Sequence, residues 1–430
     1  MAQDRYGLTL STGSAVAVSA YVEGVDRFLA AHDGAEQCFA RAVSADPEFA
    51  LGHVGRARSL QVAGRGADAQ AAAAQAREAG PALDRRERQH VEALALAVAG
   101  QGARALQLIR EHLVDFPRDV MALAAANGIY GLIGFSGRQE RNEDMLALLD
   151  GLAPAYGEDW WFLGAHGFAR TEALGWKAGA PLLERALELA PRNAHAAHAW
   201  AHVLYERGDD ESGAGFVARW LPEYPRAAPL HCHLSWHQAL FELGRGRPDN
   251  ALALFESSVR PGRSVCSAFS TIVDSASLLW RCELAGVPAR PDAWGAVAEH
   301  ARAAFPSTGL AFLDVHCAVA LAASGDDEGL ARWVSMLRRA DAEGRVPAGS
   351  VVPIVAEAMG AFAKGRYEQT IAALEPVLDQ LVRVGGSWAQ RDLFEHTLLA
   401  AYLRAGHLAE ARALLARRVD RRPSVPVAGA

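Results

Sequence analysis

Along most of this chain, apolar residues recur three and four positions apart for about a dozen residues. A glycine then interrupts, a second such stretch follows, and a proline closes the phrase. LGHVGRARSLQVAGRGADAQAAAAQA, HVEALALAVAGQGARALQLIREHLVDFP and AHAAHAWAHVLYERGDDESGAGFVARWLPEYP are three copies. LSWHQALFELGRGRPDNALALFESSV, VAEAMGAFAKGRYEQTIAALEPVL and TLLAAYLRAGHLAEARALLARR are further ones. That period predicts paired amphipathic helices, each burying one stripe against a neighbour. Pro47, Pro117, Pro191 and Pro225 end helices, because the ring removes an amide donor. Ala69, Gly213, Ala251 and Ala411 are small residues beside the turns, where paired helices must approach closely.

The glycines Gly64, Gly100, Gly208 and Gly244 return at spacings near about 34 residues or a multiple of it, the tetratricopeptide period. The expected fold class is therefore all-α, a right-handed α-solenoid of degenerate tetratricopeptide-like helix pairs. Residues 126–180 and 255–310 deviate most from the phrase and predict longer helices or loops. No low-complexity linker divides the chain. Residues 1–422 are expected to form a single superhelical domain, and 423–430 (PSVPVAGA) a disordered tail. Solenoid ends expose apolar helix faces, which makes a homodimer a natural expectation.

Composition narrows the function classes. Alanine and leucine, the strongest helix formers, are abundant. The formal net charge is −7 with the two signs interspersed, which speaks against a nucleic-acid grip. Arg412, Arg417, Arg418, Arg421 and Arg422 give a basic C-terminal end, read here as a frayed, solvated helix. The five cysteines are odd in number and lack CxxC spacing, so reduced buried thiols and a cytoplasmic location are expected. The opening MAQDRYGLTLSTG lacks a signal-peptide pattern, and no eighteen-residue apolar run predicts a membrane span.

The fifteen histidines are unevenly placed. Six fall within residues 195–237: His195, His198, His202, His231, His233 and His237. Two HxxxH pairs, His198/His202 and His233/His237, put both rings of a pair on one helix face, within reach of a shared ion or substrate. With Gly208 as the turn, His195, His198 and His202 take groove-lining positions while Trp200 and Leu204 take core positions. The competing reading is a set of hydrogen-bonded structural imidazoles.

Other polar residues cluster downstream. Asp274 and Arg281 share a helix in VDSASLLWRCELAG. Asp314 and His316 stand two apart in FLDVHCAVA, so they face different sides unless the helix begins there. GGSWAQRDLFEH carries Gln390, Arg391, Asp392 and His396 behind a Gly385-Gly386 stop. Arg391 at a helix start would have donors for a carboxylate or phosphate. GxSxG, Walker, GxGxxG and HExxH signatures are absent from the sequence.

At these residues the chain resembles the tetratricopeptide repeat protein 38 family, over almost all its length. LDRRERQHVEAL, FPRDVMAL, AHAAHAWAHV, CHLSWHQALFELGRG, VDSASLLWR, FLDVHCAVA and GGSWAQRDLF carry the resemblance. It implies the repeat fold and a polar site, with the family pattern falling on Arg86, Glu87, His90, His198, His202, His233, Trp236 and His237. It continues on Asp274, Arg281, Asp314, His316, Gln390, Arg391 and Asp392. His195, His231 and His396 lie outside it.

Two function classes follow. One is an enzyme acting on a small polar molecule, with His198, His202, His233, His237, Asp274, Asp314 and His316 in catalysis. Trp236, Arg281, Gln390, Arg391 and Asp392 would then bind substrate. In a metal-dependent version the two histidine pairs and a carboxylate hold zinc, iron or manganese. The other class is a non-catalytic scaffold holding a peptide or protein partner in the groove. An enclosed pocket of ligand size around the histidines and Arg391 would favour the enzyme. Engaged side chains beside an open groove would favour the scaffold.

Overall fold

A computed structural model describes residues 2–79 and 83–430. The described residues are all-α, with one isolated bridge, Gln3 to Thr9, in place of any sheet. No described helix is long and apolar enough to cross a membrane. The chain divides into two compact units. The first comprises Met1–Ser136, Asn142–Ala169 and Pro181–Ala197, and the second Gly137–Arg141, Arg170–Ala180 and His198–Ala430.

Helix pairs build each unit as an α-solenoid does, each front-row helix packing on its own partner and on the front-row helix two places along. In the first unit Ala15–Leu29, Ala50–Val62 and Arg85–Val98 lie side by side, backed by Ala35–Ala45, Gly66–Glu78 and Gly102–Asp115. In the second unit the front row is His231–Gly244, Ala268–Leu284, Ala311–Ala323 and Val351–Ala363. The unit boundary falls inside helix Ala194–Arg207, leaving His198 and His202 in the second unit.

The small residues act as the repeat phrase requires. Ala69, Ala251 and Ala411 are buried, and a Cβ on Gly213 would meet the Phe241 ring at 2.3 Å. That contact seats Phe241 fully in the core, a burial worth about 1.5–3 kcal/mol. Side-chain caps start several helices. Asp84 accepts the Glu87 amide at 2.8 Å and Asp209 the Ser212 amide at 3.1 Å, satisfying donors that the first turn leaves free.

One turn differs from expectation. Gly244 still belongs to its helix, and the left-handed residue of that turn is Gly246 at φ +69°. Gly244 is required by close approach instead, since a Cβ there would stand 2.0 Å from Asp210 Oδ2.

The C-terminal end also differs. Arg418 and Arg422 are 2% and 1% exposed, where the sequence suggested a frayed, solvated helix. Arg418 makes a two-pronged contact with Asp392, at 2.9 Å to Oδ1 and 2.8 Å to Oδ2. Arg421 reaches Asp392 Oδ1 at 2.8 Å, and Arg422 reaches Asp210 Oδ1 at 2.8 Å. The planar guanidinium forks turn this run into a buried anchor. Residues 423–430, expected to be disordered, follow it onto the unit. Val427 is buried, and the Ala428 amide donates to Leu284 O at 2.8 Å.

Candidate metal centre

Two neighbouring helices of the second unit bring four imidazoles face to face. His198 and His202 stand one turn apart on Ala194–Arg207, and His233 and His237 one turn apart on His231–Gly244. One ligand nitrogen from each lies within 4.8 Å of all the others. Their side of the helix pair is dry, with the four residues between 0% and 6% exposed. Ring centroids stand 4.5 Å apart for His202–His237 and 4.8 Å for His198–His233. The Nε2 atoms of His198 and His202 are 2.9 Å apart.

The hydrogen-bond inventory tests whether such a set is a structural network. His233 gives Nδ1 to Asp274 Oδ1 at 2.8 Å, and its Nε2 has no partner. His237 has no partner at either ring nitrogen, although it is fully buried. An unpaired buried polar atom costs about 1–3 kcal/mol. Burial, and then the neighbouring imidazoles, push the pKa values of His202 and His237 well below the usual histidine range. Neutral imidazole is the form that binds a metal, and in the metal-free chain His198 and His202 share a hydrogen bond between their Nε2 atoms at 2.9 Å.

The donor set fits a first-row transition ion. A tetrahedral ion with bonds of about 2.0–2.1 Å sets its ligand atoms about 3.3–3.4 Å apart, so loading would draw the outermost rings inward. Asp274 stands where an outer carboxylate belongs, orienting His233 through its other nitrogen. Trp236 lies flat on His233, centroids 5.0 Å apart at 12°, and walls that side. The Arg281 guanidinium sits 5.7 Å from the Trp236 ring centroid and donates to Ala389 O at 2.6 Å.

The other sequence-predicted residues stand outside this set. The Asp314 carboxylate accepts the Gly309 amide at 3.1 Å, and burial pushes its pKa up to about 7. His316 bonds its own helix, Nδ1 to Phe312 O at 2.7 Å, and burial pushes its pKa down to about 4. Gln390 completes a capping box with Ser387, taking the Ser387 amide at 2.9 Å. Arg391 is 3% exposed, folded back on Gly386 O and facing Glu172 at 3.7 Å. Asp392 anchors the C-terminal arginines and the Tyr205 hydroxyl at 2.9 Å. Burial alone would raise its pKa, but Arg418 and Arg421 hold it well below the carboxylate range. His396, beside it, is kept neutral by burial.

A separate open cleft of about 610 Å³ lies on the opposite face of the His233 helix. Pro222, Tyr224, Pro225, His231, Ser235 and Gln238 are among its lining residues, and none of the predicted site residues is. Three features escaped sequence reasoning: the arginine anchor, the Glu172 partner of Arg391, and a Cys232–Cys266 contact. The first was visible as an arginine run, but only a buried acid such as Asp392 gives it meaning.

Among models of known protein families, none matches the chain. Among solved structures, it is similar to the crystal structure of yeast Tom70 at 14% identity, over 93% of this chain and 83% of that one, with a TM-score of 0.35. It is also similar to the tetratricopeptide domain of P58(IPK) at 12% identity, over 91% and 89%, with a TM-score of 0.24. At these scores neither likeness carries an argument, and the fold rests on the helix pairing itself.

Proposed function

We propose that this chain is a helical-repeat binding protein whose second unit is organised around a transition-metal ion. His198, His202, His233 and His237 are the ligands, and Asp274 is the carboxylate behind His233. One observation carries the reading: four buried imidazoles converge, and both nitrogens of His237 lack any partner. The absence of thiolate and carboxylate from the inner set favours zinc or copper over manganese. Loaded in this way, the centre has every position filled by protein and is closed to solvent, the pattern of a structural rather than a catalytic site.

That closure favours the scaffold class over the enzyme. Arg391, Gln390 and Asp392, which an enzyme would need free for substrate, are engaged in structural contacts. The open cleft on the other face of the His233 helix is the surface we assign to a peptide or protein segment. Membership of the tetratricopeptide repeat protein 38 family belongs to the same proposal and rests on the stretches quoted above.

The test is thermal unfolding of metal-stripped protein titrated with zinc, copper, iron and manganese salts. Binding to the folded state alone raises the transition by about 2.7 kcal/mol at 100 times Kd. A rise with zinc or copper that disappears in His237→Ala supports the reading. A transition indifferent to all four metals rejects it.

A further inference from the structure

Cys232 opens the His233 helix, and Cys266 sits in the connection before helix Ala268–Leu284, next to its capping Ser267. The two thiols meet there. The Cys232 amide donates to Cys266 Sγ at 3.3 Å. Cys232 is 1% exposed and its thiol donates to Asp274 Oδ2 at 3.5 Å. Cys266 is only half-buried, so a small oxidant can reach it from solvent. The remaining cysteines, Cys38, Cys282 and Cys317, are buried.

The pair has the division of labour of a reactive dithiol. One sulfur is accessible and accepts the Cys232 amide, a contact that favours its thiolate, as the start of a helix also does, while its thiol proton lies toward Ala228 O at 3.8 Å. The Cys232 hydrogen bond draws the Cys266 pKa below the usual thiol value despite burial. The other sulfur is buried within reach, placed to resolve whatever forms on the first. Burial pushes Cys282 up to about 12, which leaves it inert by comparison.

We propose that Cys266 and Cys232 form a hydroperoxide-reactive site in which Cys266 is oxidised first and Cys232 closes an intrachain disulfide. The Cys266 thiolate attacks the outer peroxide oxygen, the O–O bond breaks, and the alkoxide or hydroxide leaves and takes up a proton. Cys266 becomes a sulfenic acid. The Cys232 sulfur then attacks that sulfur, its proton leaves with the departing oxygen as water, and the S–S bond forms. Two thiols and one hydroperoxide give one disulfide, one alcohol or water, and one water. Oxidation also removes the thiol donor from Asp274, the carboxylate that orients His233.

The experiment treats the full chain with a slight excess of hydrogen peroxide, then counts free thiols in denaturant and maps linked peptides. The expected result is loss of two of the five thiols, a Cys232–Cys266 linked peptide, and full recovery with dithiothreitol. Cys266→Ser abolishes the loss. In Cys232→Ser, Cys266 persists as a sulfenic acid that dimedone captures. Unfolding temperatures of both variants, matched to the parent, confirm that they fold. Oxidation beginning at another cysteine, or a two-thiol loss surviving in Cys266→Ser, overturns the proposal. Metal content reads separately, so an unmetallated protein that forms this disulfide rejects the metal reading alone.

Discussion

Each unit of this protein buries histidines, and the two units settle them in opposite ways. In the first, His90 Nδ1 and His112 Nε2 converge on one carboxylate, Asp119, at 2.8 Å and 3.1 Å. Arg86 adds a guanidinium at 3.3 Å and ties the N-terminal segment down through Thr9 O at 2.5 Å. In the second, four imidazoles converge on one another, and the carboxylate beside them, Asp274, bonds Nδ1 of His233. The first cluster carries its counter-charge within itself. The second sets imidazole nitrogens against one another, with the Arg281 and Arg391 charges adding to the forces that keep His237 and His202 neutral. A buried histidine group is therefore read by what its nitrogens face: an acid in the first unit, and other imidazole nitrogens, a donor set suited to a transition ion, in the second.

The largest effect should come from removing the acid that closes the first cluster. Asp119→Ala leaves Arg86 and two imidazoles without their buried partner, a loss of about 3–5 kcal/mol in denaturant unfolding. A loss below about 1 kcal/mol would mean that this cluster is not held by its carboxylate. In the second unit, Asp274→Asn keeps every ligand and should weaken metal binding about 10–100-fold, measured by competition with a chromophoric chelator. Unchanged affinity would remove Asp274 from the centre.

Acid should separate the two clusters. His90 and His112 hold Asp119 well below its ordinary pKa, against the effect of burial. A carboxyl depressed in the folded state stabilises above its unfolded value near about 3.9 and loses that contribution as pH falls further. His202 and His237 are also depressed, so the unfolded chain takes up their protons first. Metal-stripped protein should therefore lose stability as pH falls below about 6.5, well before the Asp119 contribution fades. Chemical unfolding at pH 7.5, 5.5 and 3.5 checks the order, and a flat profile from 7.5 to 5.5 would refute it.

The smallest effect tests a wall. Trp236→Phe keeps an aromatic face on His233 with less area, and should cost about 1–3 kcal/mol of stability while leaving metal stoichiometry unchanged.

Much of this was legible in the sequence, because it follows from helical spacing. The phrase of helix, glycine, helix and proline gave the paired helices, and the two HxxxH spacings gave four rings on two facing stripes. The sequence left the accompanying carboxylate open among candidates that included Asp274 and Asp314, and only the fold places Asp274 on His233. What was not legible depends on distance along the chain. Arg418 lies 26 residues from Asp392, and no local pattern says that such an arginine turns inward. Gln390 and Arg391 looked like free donors at a helix start. A capping box and Glu172 take them up, and the latter lies 216 residues or more away in sequence from the Trp388 turn that it also holds. The Cys232–Cys266 contact likewise spans 34 residues with no motif to announce it.

The central claim is that the second unit's meeting point holds a metal ion. The most direct measurement is elemental analysis of tag-free protein, prepared without chelator, beside a folded His202→Ala/His237→Ala variant. About one equivalent of transition metal per chain, lost in the variant, is the predicted result. Less than about a tenth of an equivalent in the parent after incubation with zinc and copper, or equal content in both proteins, would contradict it.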